Sequence, residues 1–551
     1  MTKRQAETSA HAVAGGNGPR SLRFKWPAVF GWLRHYLDRS EWFIRLLKLP
    51  CFEGPADAPG LILIQIDGLA HRQLQRALEQ GRMPFLQRLL TRGGYRLHRQ
   101  YAGLPATTPA CQGLLFYGVP RCVPAFSFRD PPSGEVVRMY EPGPAAAVEA
   151  QLRERGTPLL SGGSAYVDTF TGGAAEAHFC PAALGWGPPL KGISRWKLAL
   201  FTGLHLPSLA RIATLLAVEL GLAVTDCLRG IVAGEDFFKE LKFIPTRVGI
   251  VILLRELAVI GARIDAARGL PVIHLNLLGY DEQAHRRGPD SRFAHWTLKG
   301  IDAAIARLHR SARRSRRRRY QVWVYSDHGQ ERVTPYVKRH GRHLDEAVSA
   351  LLADLGSPAP LQADVGRGIQ TLRVRWLGGR QVQRLFPVNE AKPQTGENAL
   401  AALGPVGHLY LGQPPDPATR RRLARELTGR LGIPLVLACD GDGVRAWTAE
   451  GEFRLPAQAA ALFGADHPWR DRLGEDWAAL CRHPAAGDLV LVGWRAGCEA
   501  LTFAVENGAH AGAGPDETTA FACLPADAPL PEEPMTAEAL RRAVEEVLRR
   551  P

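Results

Sequence analysis

The sequence predicts a doubly wound α/β core with a mostly parallel sheet, and three observations predict it. Three short apolar runs, "LILIQID" ending at Asp67, "PVIHLNLLGYD" ending at Asp281 and "QVWVYSD" ending at Asp327, each finish in a carboxylate. Continuous β-type runs of this kind are expected where a strand is buried on both faces, as in a parallel sheet. Helical patterns alternate with them: "AHRQLQRALEQGRMPFLQRLLTRG" follows the first run, and "FAHWTLKGIDAAIARLHRSARR" separates the second from the third. Ligand sites in open α/β sheets lie beyond the carboxyl ends of the strands. The three acids are therefore expected along one edge of one sheet.

Along the chain, residues 1–55 read as a basic N-terminal segment containing an amphipathic helix in "WPAVFGWLRHYLDRSEWFIRLLKLP" (26–50). Its Trp, Phe and Leu at helical spacing suit a core-facing helix, with a place on an anionic membrane surface as the alternative. Residues 56–190 form the first part of the core, 191–265 a helical insertion and 266–349 the second part of the core. From 350 to 485 the texture changes to helix and strand signals with many Gly and Pro, read as a smaller α+β cap region. The core is expected to resume at "GDLVLVGW" over 486–530, and 531–551 is a C-terminal amphipathic helix. No internal repeat is visible.

A chain of 551 residues, 46% hydrophobic and 22% charged, can bury a large core and more than one folding unit. Its formal charge of +15 comes with abundant Ala, Gly and Arg throughout, so it gives only weak support for an anionic substrate. The nine cysteines are odd in number and form no CxxC pair, which argues against a disulfide framework or a thiolate zinc knuckle. The N-terminus lacks the apolar core of a signal peptide, and no stretch reaches the roughly 18 apolar residues of a membrane span. A cytoplasmic protein is expected, with peripheral membrane contact left open and the oligomeric state undetermined. The run "RRSRRRR" (313–319) looks like a polyanion patch, but it enters the strand ending at Asp327 from the far side. A solvated basic face is expected there, and no sequence-specific nucleic-acid binding.

The chemistry-bearing residues cluster in short motifs. Asp281 and His285 in "YDEQAHRRGP" would share one face of a helix, a spacing that suits a zinc or manganese ligand pair as well as a plain surface hydrogen bond. Asp327 and His328 follow a buried strand directly, with Gly329 letting the backbone turn. Asp67 ends the first strand and His510 lies in the Gly-rich "ENGAHAGAGPDE". "LPATTPACQG" sets Thr107 and Thr108 between prolines, which alone is ordinary turn chemistry. His274 lies inside a strand and is expected to be a satisfied core imidazole, while His71, His98, His295, His340, His343 and His408 have no partner that spacing identifies.

Taken together, Asp67-Gly68, "PATTPACQGLLFYG" closed by Gly118, Asp281-x-x-x-His285-x-x-Gly-Pro, Asp327-His328-Gly329 and His510 resemble the alkaline phosphatase superfamily. Within it, they resemble the type I phosphodiesterase and nucleotide pyrophosphatase branch. The resemblance covers about 60–345 and 486–525. It implies an alkaline phosphatase-like core, a small phosphorylated substrate and two divalent cations, zinc first and manganese as the alternative. One cation would be held by Asp281, His285 and His510, the other by Asp67, Asp327 and His328 with the Thr108 hydroxyl. Gly118, ten positions on, selects Thr108 over Thr107 as nucleophile. Thr108 would attack phosphorus and expel the leaving group, and water would then hydrolyse the phosphothreonine and restore the hydroxyl.

The chain departs from the family where an Asn usually holds a phosphate oxygen. Ala110 and Cys111 occupy the nearer place and Phe128-Arg129 the later one, so Arg129 is either a substrate contact or a surface arginine. The family's His-Gly reads His510-Ala511. The Thr and the Asp-x-x-x-His motif favour phosphodiester or pyrophosphate substrates. A phosphomonoesterase or phospho-group mutase is the first alternative, and a polyanion-binding or membrane-surface protein with a degenerate site is the second. No cysteine stands in the Cys-x-Pro-x-Arg setting of sulfatases.

Overall fold

Strand β1 (Pro59–Ile66) is apolar at nearly every position, so both of its faces have to be covered. Ile62, Ile64 and Ile66 pack into one apolar cluster while Leu61 and Leu63 pack into another on the opposite face. In this computed structural model, residues 39–183, 249–356, 359–366, 397–441, 443–529 and 534–549 are described, with a few helical residues between 210 and 225.

The main sheet is completed by β2 (Tyr95–Tyr101), β3 (Ser164–Tyr166), β4 (Glu176–His178), β5 (Val272–Leu277), β6 (Arg319–Tyr325), β7 (Thr519–Pro525) and β8 (Met535–Thr536). Its order is β8-β2-β7-β6-β1-β5-β3-β4. Strands β5 and β6 flank β1 in parallel, and β7 runs antiparallel between β2 and β6. The register pairs Gln65 with Tyr325, which brings Asp67 and Asp327 level, two residues beyond that pair. This is the doubly wound, mostly parallel sheet expected.

Helices α1 (Thr108–Tyr117), α2 (Arg255–Arg268), α3 (Gly279–Arg287), α4 (Arg292–Ala312) and α5 (Ala537–Arg549) surround it. Leu298, Ile301 and Ile305 of α4 cover one face with Ala258 and Ala262 of α2. Leu115 and Phe116 of α1 cover the other with Leu540 and Val544 of α5. The buried Arg541 of α5 donates to the carbonyls of Leu115 and Thr157, and so pins the C-terminal end of α1. Residues Arg39–Leu47 of the N-terminal helix turn Ile44 inward and pair Glu41 with Arg317, while Trp42 stays exposed. Residues 1–38 lie outside the described residues.

Three expectations change. First, Leu489–Val492 does not rejoin the core: it is a central strand of a second sheet, between Val406–Tyr410 and Leu435–Asp440. That sheet has seven strands and helices on both faces, with Leu344–Asp354 and Pro417–Gly429 on one side and Arg470–Cys481 on the other. It is thus a full helix–sheet–helix layer. Second, α2 packs into the core, so the insertion ends before Arg255; residues 191–209 and 226–248 of it lie outside the described residues, as do 184–190 of the core and 367–396 of the cap. Third, the arginine run is not wholly solvated. Arg318 donates to the carbonyls of Gly269 and Pro59 and covers the Phe52 ring, tying the N-terminal ends of the strands together. Among the described residues the cysteines are free thiols, and no helix is long and apolar enough to cross a membrane.

Candidate functional site

The carboxyl ends of β1, β5 and β6, the head of α1 and the loop before β7 converge on one buried cluster. Thr108 opens α1, where free backbone N–H groups and the helix dipole favour an anion. Its Oγ1 lies 3.3 Å from Asp67 Oδ1 and 3.2 Å from His328 Nε2. Thr107 is the N-cap residue, yet its side chain makes no capping bond and its hydroxyl is buried without a partner. Geometry thus separates the two threonines.

Asp67 accepts from Asn276 Nδ2 at 2.6 Å, and Asp327 Oδ1 accepts from the Gly68 N–H at 3.4 Å. Gly68 has φ +68°, and a Cβ there would lie 2.3 Å from Asp281 Oδ1. Only glycine fits, because the backbone both turns left-handed and passes against a site carboxylate. Asp281 is held by Gln330 Nε2 and faces His285 Nε2 at 3.3 Å and His510 Nε2 at 4.0 Å.

All three imidazoles are oriented alike. His328 Nδ1 meets the Gly329 carbonyl at 3.0 Å, His510 Nδ1 the Ala106 carbonyl at 2.8 Å and His285 Nδ1 the Gly508 carbonyl at 2.9 Å. An acceptor on Nδ1 places the proton there and leaves the Nε2 lone pair facing the cluster, the arrangement a metal-ligating histidine needs. Among the described residues, two groups could hold a cation: Asp281, His285 and His510, and Asp67, Asp281 and His328. Asp281 thus belongs to both, while Asp327 stands beside the second with its Oδ2 buried and without a hydrogen bond.

The charges are poorly matched without a cation. Burial, then the charges of Asp327 and Asp281, push Asp67 well above the usual carboxylate range, and burial with Asp281 pushes Asp327 up to about 7. Burial lowers His328 to about 4 and His510 to about 3. His285 is raised despite its burial, because Asp281 and Glu506 face it. Three crowded carboxylates with the inward-facing Nε2 atoms of three imidazoles, of which burial keeps His328 and His510 neutral, are a donor set that fits divalent cations.

Arg129 is engaged elsewhere: its Nε donates to the Gly134 carbonyl of its own hairpin, and its backbone N–H donates to Tyr410. His274 is a core imidazole as expected, bonded to Asp168 at 2.9 Å and Tyr325 at 2.6 Å. Sequence reasoning missed Asn276, Gln330 and Glu506. A polar Asn in the middle of "VIHLNLL" was the one legible signal among them.

Residues 262–384, which carry Asp281, His285, Asp327 and His328, match the family model described as type I phosphodiesterase / nucleotide pyrophosphatase. The resemblance is to that branch of the alkaline phosphatase superfamily. The activities that family's description names, phosphodiesterase and pyrophosphatase, are hydrolyses of phosphoric esters. No curated protein matches the chain significantly. Among solved structures, phosphonoacetate hydrolase from Sinorhizobium meliloti 1021 in complex with phosphonoformate is similar at 15% identity and TM-score 0.43, over 90% of this chain and 98% of that one. Murine ectonucleotide pyrophosphatase/phosphodiesterase 5, in an inactive form with AMP, is similar at 11% identity and TM-score 0.44, over 89% and 95%.

Proposed function

We propose that the chain hydrolyses phosphodiester or pyrophosphate bonds of a small phosphorylated substrate, through a phosphothreonine on Thr108 and with two divalent cations, zinc first. The observation that carries this is the Thr108 hydroxyl at the head of α1, within 3.3 Å of both Asp67 and His328. When bound, the cations would lower the hydroxyl's pKa and neutralise phosphoryl charge. Asp67, Asp327 and His328 would hold the cation beside Thr108, and Asp281, His285 and His510 the one opposite, with Asp281 between them.

The chain's own part in the reaction follows from its geometry. Asp67 and His328 orient Oγ1 for in-line attack, and the first N–H groups of α1 face the phosphoryl oxygens. Asn276 and Gln330 keep Asp67 and Asp281 from turning away. Burial of the cluster keeps bulk water from weakening these interactions.

A diester-versus-monoester screen tests the reading: bis-p-nitrophenyl phosphate against p-nitrophenyl phosphate, with metal content measured on the same preparation. Faster diester turnover with two ions per chain is expected. Preference for the monoester would favour the phosphomonoesterase or mutase reading. No turnover with fewer than two ions would favour the binding protein.

A further inference from the structure

We infer that Glu506 is a positioning residue for His285, and that it makes the Asp281–His285–His510 position the tighter of the two cation sites. The inference rests on the ligand roles proposed above. His285 Nδ1 lies 2.9 Å from Glu506 Oε2 as well as from the Gly508 carbonyl. The Nδ1 atoms of His328 and His510 meet backbone carbonyls instead. A carboxylate on the far nitrogen of a ligating imidazole fixes the ring and raises the donor strength of the near one.

Glu506 is itself well held. Its Oε1 accepts from the fully buried Thr502 Oγ1 at 2.7 Å, and Thr502 ends a two-residue strand paired with Thr334–Pro335. The next two residues grip the last turn of α3. The Asn507 N–H donates to the His285 carbonyl and its Nδ2 to the Arg286 carbonyl, both at 2.8 Å. Gly508 passes so close that a Cβ would lie 2.4 Å from the Ala284 carbonyl oxygen. The segment 506–508 is therefore a cradle. It satisfies carbonyls left open at the end of α3 and presents a charge to one ring.

The test is zinc titration of the full-length chain, stripped of metal, against a chromogenic chelator. Glu506→Ala is expected to weaken one of two zinc sites by about 10–100-fold and leave the other within about twofold. Glu506→Gln keeps an acceptor without the charge and should fall between Glu506→Ala and the unsubstituted protein, with an unchanged circular dichroism spectrum. His285→Ala should weaken the same site, and adding Glu506→Ala to it should cost little more, since the carboxylate acts through the ring. Equal loss at both sites, no loss at either, or full additivity with His285→Ala would overturn the inference. Two undisturbed sites in His285→Ala would instead show that the ligand assignment itself fails, and the role of Glu506 with it.

Discussion

Thr107 and Thr108 are adjacent and both buried, yet their removal should have opposite consequences. Thr108→Ala removes the proposed nucleophile. A fall in kcat of about 10³-fold or more is expected, which at about 1.4 kcal/mol per decade is about 4 kcal/mol of barrier. The fold should survive, because the lost hydroxyl donates one hydrogen bond, worth about 0.5–1.5 kcal/mol. Thr107→Ala deletes a buried hydroxyl that has no partner, which relieves about 1–3 kcal/mol of desolvation. It also loses a methyl group worth about 1 kcal/mol. The net change in stability is small, and activity should stay within about threefold. Steady-state turnover of bis-p-nitrophenyl phosphate, read beside thermal melts of both variants, decides the matter. A Thr108→Ala protein that turns over at the unsubstituted rate, or a Thr107→Ala protein that is the dead one, would refute the assignment.

Gly68→Ala should lose activity and bind zinc more weakly. Its Cβ would lie 2.3 Å from Asp281 Oδ1, and the φ of +68° adds about 1–2 kcal/mol of strain; wild-type zinc affinity would contradict this. Chelation should abolish turnover, and zinc or manganese should restore it; undiminished turnover in excess chelator would remove cations from the mechanism. Acid should destabilise the second sheet through His408, which burial lowers from 6.5 to about 4 and whose Nδ1 accepts from the Gly487 N–H. The unfolded chain takes up the proton first, so the stability this neutral ring contributes is complete above about pH 6.5 and is lost as pH falls through about 4. His408→Asn keeps an acceptor without the titration, so its urea midpoint should fall less between pH 7 and pH 4; equal slopes would refute the account.

The candidate ligands were legible because a parallel sheet converts chain position into spatial position. Asp67 and Asp327 each stand one or two residues past an apolar strand, and the register that brings them level follows from pairing those strands. The supporting residues were less legible. Glu506 and Gln330 meet their partners across distant segments, and no periodicity connects "AVENGAH" to α3. The Leu489–Val492 strand was assigned to the wrong sheet for a related reason. A short strand buried on both faces shows that it needs neighbours, but its partners at Val406–Tyr410 and Leu435–Asp440 decide which sheet it joins.

That misassigned strand changes how the site is to be understood. Because the second sheet extends to Leu489–Val492, the segment from Leu501 to Thr518 is a bridge between two layers, and it carries both Glu506 and His510. At one end, Leu501 and Phe503 pack with the helices of the second layer. At the other, Ala511 and Ala513 join the cluster of Trp469, Leu473 and Trp477, while Glu517 accepts from the N–H groups of Gly512 and Gly514. Arg72, beyond the end of β1, closes the bridge by pairing with Asp516. His510 is thus fixed by packing against the second layer and by hydrogen bonds to the first. A close-packed interior transmits displacement instead of absorbing it, so a core substitution in the second layer should reach the proposed cation position through His510 and Glu506, while Arg541 holds the far end of α1 to the first layer.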